Sequence, residues 1–336
     1  MVTDIEKELL QNVLRTTPDT FNEVALAVYH FQYEHNPIYQ QFCHTLGKIP
    51  TVVRTVADIP FLPIELFKTN RIATTQFAEA TIFESSGTTG SVNSKHYVKD
   101  LSLYEASFLQ TFNSYYGKPN QYCIIGLLPS YLQRSGSSLV YMVQQLITQS
   151  ANPTSGFYLD EFDKLKKVLI QHEQNKQPTL LIGVSYALLY FAEQNKLQLK
   201  YTTIIETGGM KGRREPISRA ALHHTLQQQF GVPSIHSEYG MTELLSQAYS
   251  AGNGIFTAPP YMRIYLRRED DPLTLKTMPT NATKMSGVIN CIDLANLYSC
   301  AFIATDDLGI LYADNSFEIT GRMLNSDVRG CSLMLA

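Results

Sequence analysis

The sequence lacks the features that mark several large classes of protein. Its formal net charge is only −3, and it has no broad basic field that would attract nucleic acid or anionic lipid. No apolar run reaches the roughly 18–20 residues that span a bilayer. The first six residues have neither the basic nor the apolar region of a signal peptide. These absences predict a soluble cytoplasmic enzyme, with neither nucleic acid nor a membrane as partner.

Cysteine is scarce and scattered. The five cysteines form no C-x-x-C pair, which argues against both a structural zinc site and a disulfide framework. Cys123 and Cys291 lie in apolar runs and are predicted to belong to the core. The others are Cys43, Cys300 and Cys331.

Strand-like and helix-like segments alternate through the middle of the chain, which predicts an α/β fold. The 336 residues, 44% of them hydrophobic, can build a large core with more than one subdomain. Predicted helices cover 101–116, 139–149, 161–176 and 216–230, and predicted strands cover 122–128, 179–182, 201–206 and 234–237. Residues 5–46 are predicted to form two scaffold helices separated by Asn36-Pro37. Residues 57–68, broken by two prolines, are predicted to be an extended, packed connector.

A loop rich in hydroxyls and glycine, Glu84 to Ser91, joins two strand-like runs. Glycine lets backbone N–H groups approach a ligand closely. The hydroxyls of the loop, together with the charge of Lys95 beyond it, suit the oxygens of a polyphosphate. On this pattern alone, an ordinary serine- and glycine-rich surface loop is an equal alternative.

A predicted βαβ unit carries the densest set of candidate ligand-binding residues. Strand 201–206 runs into a glycine loop, and strand 234–237 leads into the segment Glu238 to Glu243. The two loops are therefore expected to lie side by side at one edge of a sheet. Tyr239 can stack on a base, Thr242 can donate to a phosphate oxygen, and Glu243 can hold Mg²⁺ beside phosphate oxygens.

A second chemistry is open at Ser185. The segment Gly183-Val184-Ser185-Tyr186-Ala187 falls one glycine short of the nucleophile elbow G-x-S-x-G, in a strand–turn–helix context. Three histidines downstream offer candidate bases: His223, His224 and His236. This pattern indicates a serine-type acyltransferase or esterase as the alternative function.

The loop Ser85 to Gly90 and the segment Tyr239 to Glu243 together resemble the motifs of the adenylate-forming superfamily. With the segments 59–64, 128–132 and 237–247, the chain resembles its acyl-protein synthetase family, which is related to phenylacetate-CoA ligase. The likeness covers essentially the whole chain. It implies the large N-terminal domain of that α/β fold, with mixed parallel sheets packed by helices, and without the superfamily's small C-terminal domain.

The resemblance also implies a division of this single domain. Residues 1–75 would be a helical N-terminal scaffold, 76–250 an α/β nucleotide-binding core, 251–325 a β-rich subdomain, and 326–336 a mobile tail.

The implied activity is ATP- and Mg²⁺-dependent conversion of a carboxylic acid, a fatty acid above all, into acyl-AMP, followed by transfer to a thiol. The residues implied in ATP binding are Ser85, Ser86, Gly87, Thr88, Thr89, Gly90, Glu206, Thr207, Gly208, Gly209, Glu238, Tyr239, Gly240, Met241, Thr242, Asp306 and Arg322. Glu243 would bind Mg²⁺, and Thr242 would also act in catalysis.

Two residues carry the departures from the superfamily pattern. The usual Gly-x-Pro-Lys is absent after the phosphate loop, so Lys95 becomes the candidate catalytic lysine. Cys331 matches the acyl-accepting cysteine of the family, and Arg329, two residues before it, would favour the thiolate.

Candidate partners are the acid substrate, an acyl-donor or acyl-acceptor protein such as a reductase or transferase, and a second copy of the chain. An acyl-CoA ligase and a non-catalytic nucleotide-binding module are the remaining alternatives.

Overall fold

The computed structural model describes residues 4–85, 92–129, 136–159, 161–208 and 217–323. Its helices are α1 (Asp4–Asn12), α2 (Phe21–His35), α3 (Pro37–Thr45), α4 (Leu66–Thr69), α5 (Leu101–Tyr116), α6 (Ser138–Ser150), α7 (Phe162–Asn175), α8 (Ser185–Gln194) and α9 (Arg219–Phe230). Its strands are β1 (Leu62–Pro63), β2 (Thr81–Glu84), β3 (Lys95–Val98), β4 (Cys123–Leu127), β5 (Gly156–Phe157), β6 (Thr179–Val184), β7 (Thr202–Thr207), β8 (His236–Tyr239), β9 (Ala248–Ser250), β10 (Ile255–Phe256), β11 (Met262–Arg267), β12 (Lys284–Asp293), β13 (Phe302–Tyr312) and β14 (Phe317–Arg322). None of these helices is long and apolar enough to cross a membrane.

The N-terminal segment forms three helices, so the prediction of two was wrong in number. The Asn36-Pro37 pair does separate two of them: the Asn36 side chain caps α3 by accepting from the backbone N–H of Tyr39 at 3.1 Å, and Pro37 takes the first helical position. The additional break follows α1, where the Thr17 N–H donates to the Thr20 hydroxyl at 2.9 Å and turns the chain.

The first sheet has the strand order β5-β4-β6-β7-β8-β9, parallel except for β9. Its central strands β4 and β6 are buried along their whole length, as expected for a parallel sheet covered by helices. Helices α5 to α9 and the hairpin β2–β3 share one hydrophobic core with it. This sheet places the carboxyl ends of β6, β7 and β8 side by side.

The second sheet has the order β10-β14-β13-β12-β11 and is antiparallel, with the short β1 added parallel to β13. The proline-broken connector supplies β1 and then α4, which confirms an extended, packed segment. Helices α1 to α3 pack on this sheet, and Tyr39 stacks on Phe302 with ring centroids 5.9 Å apart. The predicted α/β fold with mixed sheets is confirmed, while the proposed boundaries at 75, 250 and 325 stay a prediction.

Candidate active site at the strand ends

The candidate site begins where β7 and β8 end next to each other. Glu206 pairs with Ser237 and Thr207 with Glu238 in the parallel register. Gly208 continues from β7 with a φ of +68°, a conformation that favours glycine. The predicted neighbour Gly209 lies outside the described residues. The sheet therefore brings together the two segments that the βαβ pattern predicted to be adjacent.

Glu206 is the centre of a buried polar cluster. Its carboxylate accepts from the Ser185 hydroxyl at 3.0 Å and from the Ser237 hydroxyl at 2.8 Å. The His223 ring lies 3.4 Å away and the Arg219 guanidinium 3.7 Å away. Burial by itself would raise the pKa of Glu206, but the histidine, the arginine and the serine bonds hold that pKa below its ordinary value. Glu206 is thus ionised at neutral pH, with its oxygens engaged inside the protein.

The pKa of Glu238, the neighbouring acid, is shifted in the opposite direction. Its carboxylate accepts from the Thr207 hydroxyl. Burial, with the charge of Glu206 adding to it, raises the pKa of Glu238 to about 7. Two adjacent strands therefore end in one ionised carboxylate and one that takes up a proton close to neutral pH.

Gly240 is required by close approach rather than by backbone conformation. A Cβ at this position would lie 2.5 Å from Oε1 of Glu238. Met241 and Thr242, the next two residues, are partly exposed, while the Glu243 side chain is buried. Any larger residue at position 240 would therefore have to displace the Glu238 carboxylate.

The hairpin β2–β3 contacts Thr242 through His96. The strands pair with Phe83 opposite His96 and Glu84 opposite Lys95. The His96 Nδ1–H donates to the backbone oxygen of Thr242 at 2.9 Å. The strands that carry the predicted phosphate loop therefore reach the predicted catalytic segment.

Ser85 holds the base of the loop closed, because its hydroxyl accepts from the Ser94 N–H at 2.8 Å. The rest of the predicted loop lies outside the described residues: Ser86, Gly87, Thr88, Thr89 and Gly90. Cys331 also lies outside them.

Lys95 points away from Thr242. Successive side chains of a strand lie on opposite faces, so a buried His96 puts Lys95 on the outer face of the hairpin. There its ammonium lies 3.7 Å from the Glu84 carboxylate, and both side chains are nearly half exposed. The structure does not bring this lysine to the strand ends, and its catalytic role stays a prediction.

The second sheet contributes an aspartate that the sequence analysis did not choose. Tyr239 donates its hydroxyl to Oδ2 of Asp307 at 2.9 Å, and the Arg322 Nε lies 3.4 Å from Oδ1 of the same carboxylate. The ring of Tyr239 is buried against Phe256 and Phe317. Asp307, and not the predicted Asp306, is therefore the carboxylate beside Tyr239 and Arg322.

A β-bulge explains why position 307 faces this way. Val288 pairs with Leu308 and Asn290 with Ala304, so one residue of β12 faces three residues of β13. The Thr305 hydroxyl stabilises the bulge by accepting from the Asp307 N–H at 3.1 Å. A bulge re-aims the side chains that follow it. The alternation of side chains along β13 could therefore not decide which of the two aspartates faces Tyr239. Because they are adjacent in the sequence, both were candidates.

Glu243, the predicted Mg²⁺ ligand, is the last residue of the segment Tyr239 to Glu243. It is 1% exposed, and its charge acts on His96. The described residues contain no cluster of three or more histidine, cysteine or acidic side chains that could hold a metal ion by itself. A single carboxylate beside a phosphate loop suits Mg²⁺, which takes one or two protein carboxylates and completes its shell with phosphate and water.

Ser185 does not have the geometry of a nucleophile elbow. It is fully buried at the start of α8, and it is not among the residues with a positive φ. Its hydroxyl donates to Glu206 and to the backbone oxygen of Gly208 at 2.6 Å. The His223 ring contacts Glu206 instead. Ser185 therefore acts as a structural donor that holds the end of β7, which argues against the serine-type alternative.

The chain is similar to proteins of a known family. The family described as "Acyl-protein synthetase, LuxE" matches residues 15–336. The long-chain-fatty-acid–luciferin-component ligase of Aliivibrio fischeri is 25% identical over 334 residues, covering 92% of this chain and 85% of the relative. The ligase of the same name from Vibrio harveyi is 25% identical over 332 residues, with the same coverage.

Among solved structures, a 2-hydroxyisobutyryl-CoA ligase in its postadenylation state matches with a TM-score of 0.60 and 11% identity. The match covers 90% of this chain and 67% of that one. At this identity the likeness concerns the fold, which is that of the adenylate-forming enzymes. The family match over residues 15–336, with the two ligases as relatives, shows that the chain is a ligase that belongs to the LuxE family of acyl-protein synthetases.

Proposed function

We propose that this protein activates a fatty acid with ATP as an acyl-AMP and then transfers the acyl group to a thiol. The observation that carries the proposal is the contact between His96 and Thr242. Through it, the base of the Ser85–Gly90 loop meets the Tyr239–Glu243 segment at the end of the parallel sheet. The carboxyl ends of parallel strands are the usual place for a nucleotide in an open α/β sheet.

The chemistry needs an ATP-dependent step because a carboxylate has no good leaving group. A carboxylate oxygen of the acid attacks the α-phosphorus of ATP. The bond to the bridging oxygen breaks, and pyrophosphate leaves with that electron pair. A thiolate then attacks the acyl carbonyl, and the bond between the carbonyl carbon and the phosphate oxygen breaks. This forms the thioester and releases AMP.

The proposed residue roles follow the two segments. The hydroxyls and N–H groups of Ser85 to Gly90 bind the β- and γ-phosphates, and Thr242 donates to the α-phosphate, where charge develops. Residues Glu206 to Gly209 line the adenine pocket and Tyr239 contacts the base, with Glu238, Gly240 and Met241 shaping the turn. We place the ribose hydroxyls on Asp307, paired with Arg322, rather than on Asp306.

The proposed cofactor is Mg²⁺ at Glu243. Bound there, the ion would offset the negative charge of the phosphates as the P–O bond breaks. The protein's own contribution is to hold the Glu243 backbone in place, since the Asn296 side-chain amide donates to the Glu243 oxygen at 2.7 Å.

The proposed acid and acceptor rest on the relatives and on the sequence. Both curated relatives are named as ligases of long-chain fatty acids, so we propose a fatty acid as the substrate. Cys331 is the proposed acyl acceptor, and a reductase or transferase is the proposed protein partner. A cytoplasmic location and a homodimer complete the proposal.

The test is an ATP–pyrophosphate exchange assay with carboxylic acids of increasing chain length. We expect exchange that depends on both the acid and Mg²⁺. Cys331→Ala should keep this exchange and lose the covalent acyl-enzyme, whereas Cys300→Ala, at a buried cysteine, should keep both. Absence of exchange with every acid would refute adenylation. An acyl-enzyme that survives Cys331→Ala would refute the acceptor alone.

A further inference from the structure

The backbone that carries Thr242 and Glu243 is anchored firmly on the side of the second sheet. Asp293 is fully buried at the end of β12. Its carboxylate accepts from the backbone N–H of Leu245 at 2.8 Å and of Ser246 at 2.9 Å. Asn296 adds its bond to the Glu243 oxygen. The segment is therefore fixed by Asp293 of β12 and by Asn296 of the loop that follows β12, neither of which belongs to the hairpin that carries the predicted phosphate loop.

His96, from the hairpin β2–β3, provides a separate anchor for the same segment. A carbonyl oxygen can only accept, so the 2.9 Å contact with Thr242 requires the proton to be on Nδ1 of His96. His96 is 1% exposed, and the edge of Phe67 packs against it with ring centroids 6.1 Å apart. The ring thus has little freedom to turn away from Thr242.

His96 is also close along the backbone to the base of the phosphate loop. It pairs with Phe83 across the hairpin. Two residues beyond Phe83, the Ser85 N–H donates to the Ser94 oxygen at 3.0 Å. The hairpin therefore links the base of the predicted loop to the His96 side chain through paired backbone.

We propose that His96 is a positioning residue that sets the place of Thr242 and Glu243 relative to the hairpin β2–β3. The inference rests on the proposed function, and it adds a part that the ATP-binding motifs themselves do not contain. His96 acts through the backbone of Thr242. Because Asp293 and Asn296 hold Glu243, Leu245 and Ser246 to the second sheet, the His96 bond determines how closely Thr242 approaches the hairpin.

The alternative is that His96 only fills space, and side-chain geometry separates the two roles. Leucine can fill much of the volume but leaves the Thr242 oxygen without this donor. Asparagine carries an N–H₂ at the same number of bonds from Cβ as Nδ1, so His96→Asn can restore the donor. Glutamine carries its amide one bond further out, at the position of Nε2. His96→Gln should therefore not restore the hydrogen bond to the Thr242 oxygen.

The experiment measures acid-dependent ATP–pyrophosphate exchange and melting temperature for His96→Leu, His96→Asn and His96→Gln. His172→Leu is the matched control, because His172 is also buried and bonded at both ring nitrogens, to Thr154 and Thr179, but lies in the α7 region. We expect His96→Leu and His96→Gln to lower kcat/KM for ATP by about tenfold or more and to raise the Mg²⁺ concentration needed for half-maximal rate. His96→Asn should return kcat/KM to within about threefold of wild type. His172→Leu should lower the melting temperature and leave these kinetic constants in place.

Two results would overturn the inference. Folded His96→Leu with wild-type ATP and Mg²⁺ dependence would show that the bond does not position the site. Equal impairment of His96→Asn and His96→Gln, with a matching loss of melting temperature, would show that the ring only packs. If His96→Leu does not fold, the asparagine and glutamine variants decide the question alone. Failure of the proposed function looks different, since wild-type protein would then show no exchange with any acid.

Discussion

The two sheets contribute to the candidate site in different ways. In the parallel sheet, Glu206, Thr207 and Glu238 stand at or next to strand ends, where the chain order of β7, α9 and β8 places them together. In the antiparallel sheet, Asp307 lies within β13 and Asp293 at the end of β12, and each reaches across to a segment that leaves the parallel sheet. The parallel sheet supplies the two segments that we propose contact the nucleotide, while the antiparallel sheet holds the second of them in place and adds Asp307.

The buried acids differ accordingly in what holds them. Glu206 is surrounded by partners from α8, α9 and β8, all within the layers of the parallel sheet. Asp307 instead joins Tyr239 of one sheet to Arg322 of the other. We therefore expect Glu206 to matter mainly for stability and Asp307 mainly for nucleotide binding, and the predictions below test that contrast.

The largest expected effect is that of Glu206→Gln on stability. The change removes the negative charge that Arg219 and His223 face inside the protein, and breaking a buried charge network typically costs about 3–5 kcal/mol. Because the pKa of Glu206 lies below its ordinary value, its stabilisation is present above the unfolded-state pKa and is lost as the pH falls through the folded-state pKa. Chemical denaturation at neutral pH measures the free energy of unfolding.

Glu161→Gln is the control for this prediction. Glu161 forms an exposed ion pair with Lys164 at 3.2 Å, and removing such a pair is expected to cost about 0.5 kcal/mol or less. Equal free energies of unfolding for the two variants would contradict the assignment of Glu206 as a structural centre.

The second prediction concerns the two neighbouring aspartates of the bulge. Asp307→Asn weakens the link between Tyr239 and Arg322, and we expect kcat/KM for ATP to fall by about a hundredfold. Asp306→Asn should change it by about threefold or less. Steady-state exchange kinetics at varied ATP concentration measure both. A larger fall in kcat/KM for Asp306→Asn than for Asp307→Asn would favour Asp306 as the ribose ligand and would contradict the role given to Asp307.

The smallest predicted effect is a pH dependence at Glu238. Its folded-state pKa is raised from 4.5 to about 7, so between these values the folded protein keeps a proton that the unfolded chain has released. The Glu238 contribution to stability therefore falls as the pH rises through this window. From about pH 5 to about pH 6.5, wild type should lose about 2 kcal/mol relative to Glu238→Gln, which does not titrate there.

Thermal or chemical unfolding of both proteins across this pH range provides the measurement. Taking the difference between the two proteins at each pH removes the contribution of all other groups that titrate alike in both. A difference that stays constant with pH would show that Glu238 ionises normally despite its burial beside Glu206.

Much of the fold could be predicted because periodicity and chain order are local properties. The strand 122–128, the helix 101–116 and the βαβ unit ending at Glu238 were predicted within a few residues of their observed bounds. The adjacency of the segments at Gly208 and Tyr239 followed from the parallel crossover itself. The N-terminal segment was harder, because the Thr17–Thr20 turn is a side-chain interaction that hydrophobic spacing does not report.

The sequence by itself determined which loops end up at one edge of the parallel sheet, since the order of strand, helix and strand leaves little choice. Only the tertiary structure decided that Asp307 rather than Asp306 faces Tyr239, because a bulge in β13 overrides simple alternation. It likewise decided that His96 faces Thr242 while Lys95 turns outward. That contact joins positions 146 residues apart, and the packing of the hairpin against the parallel sheet, rather than any local pattern, brings them together.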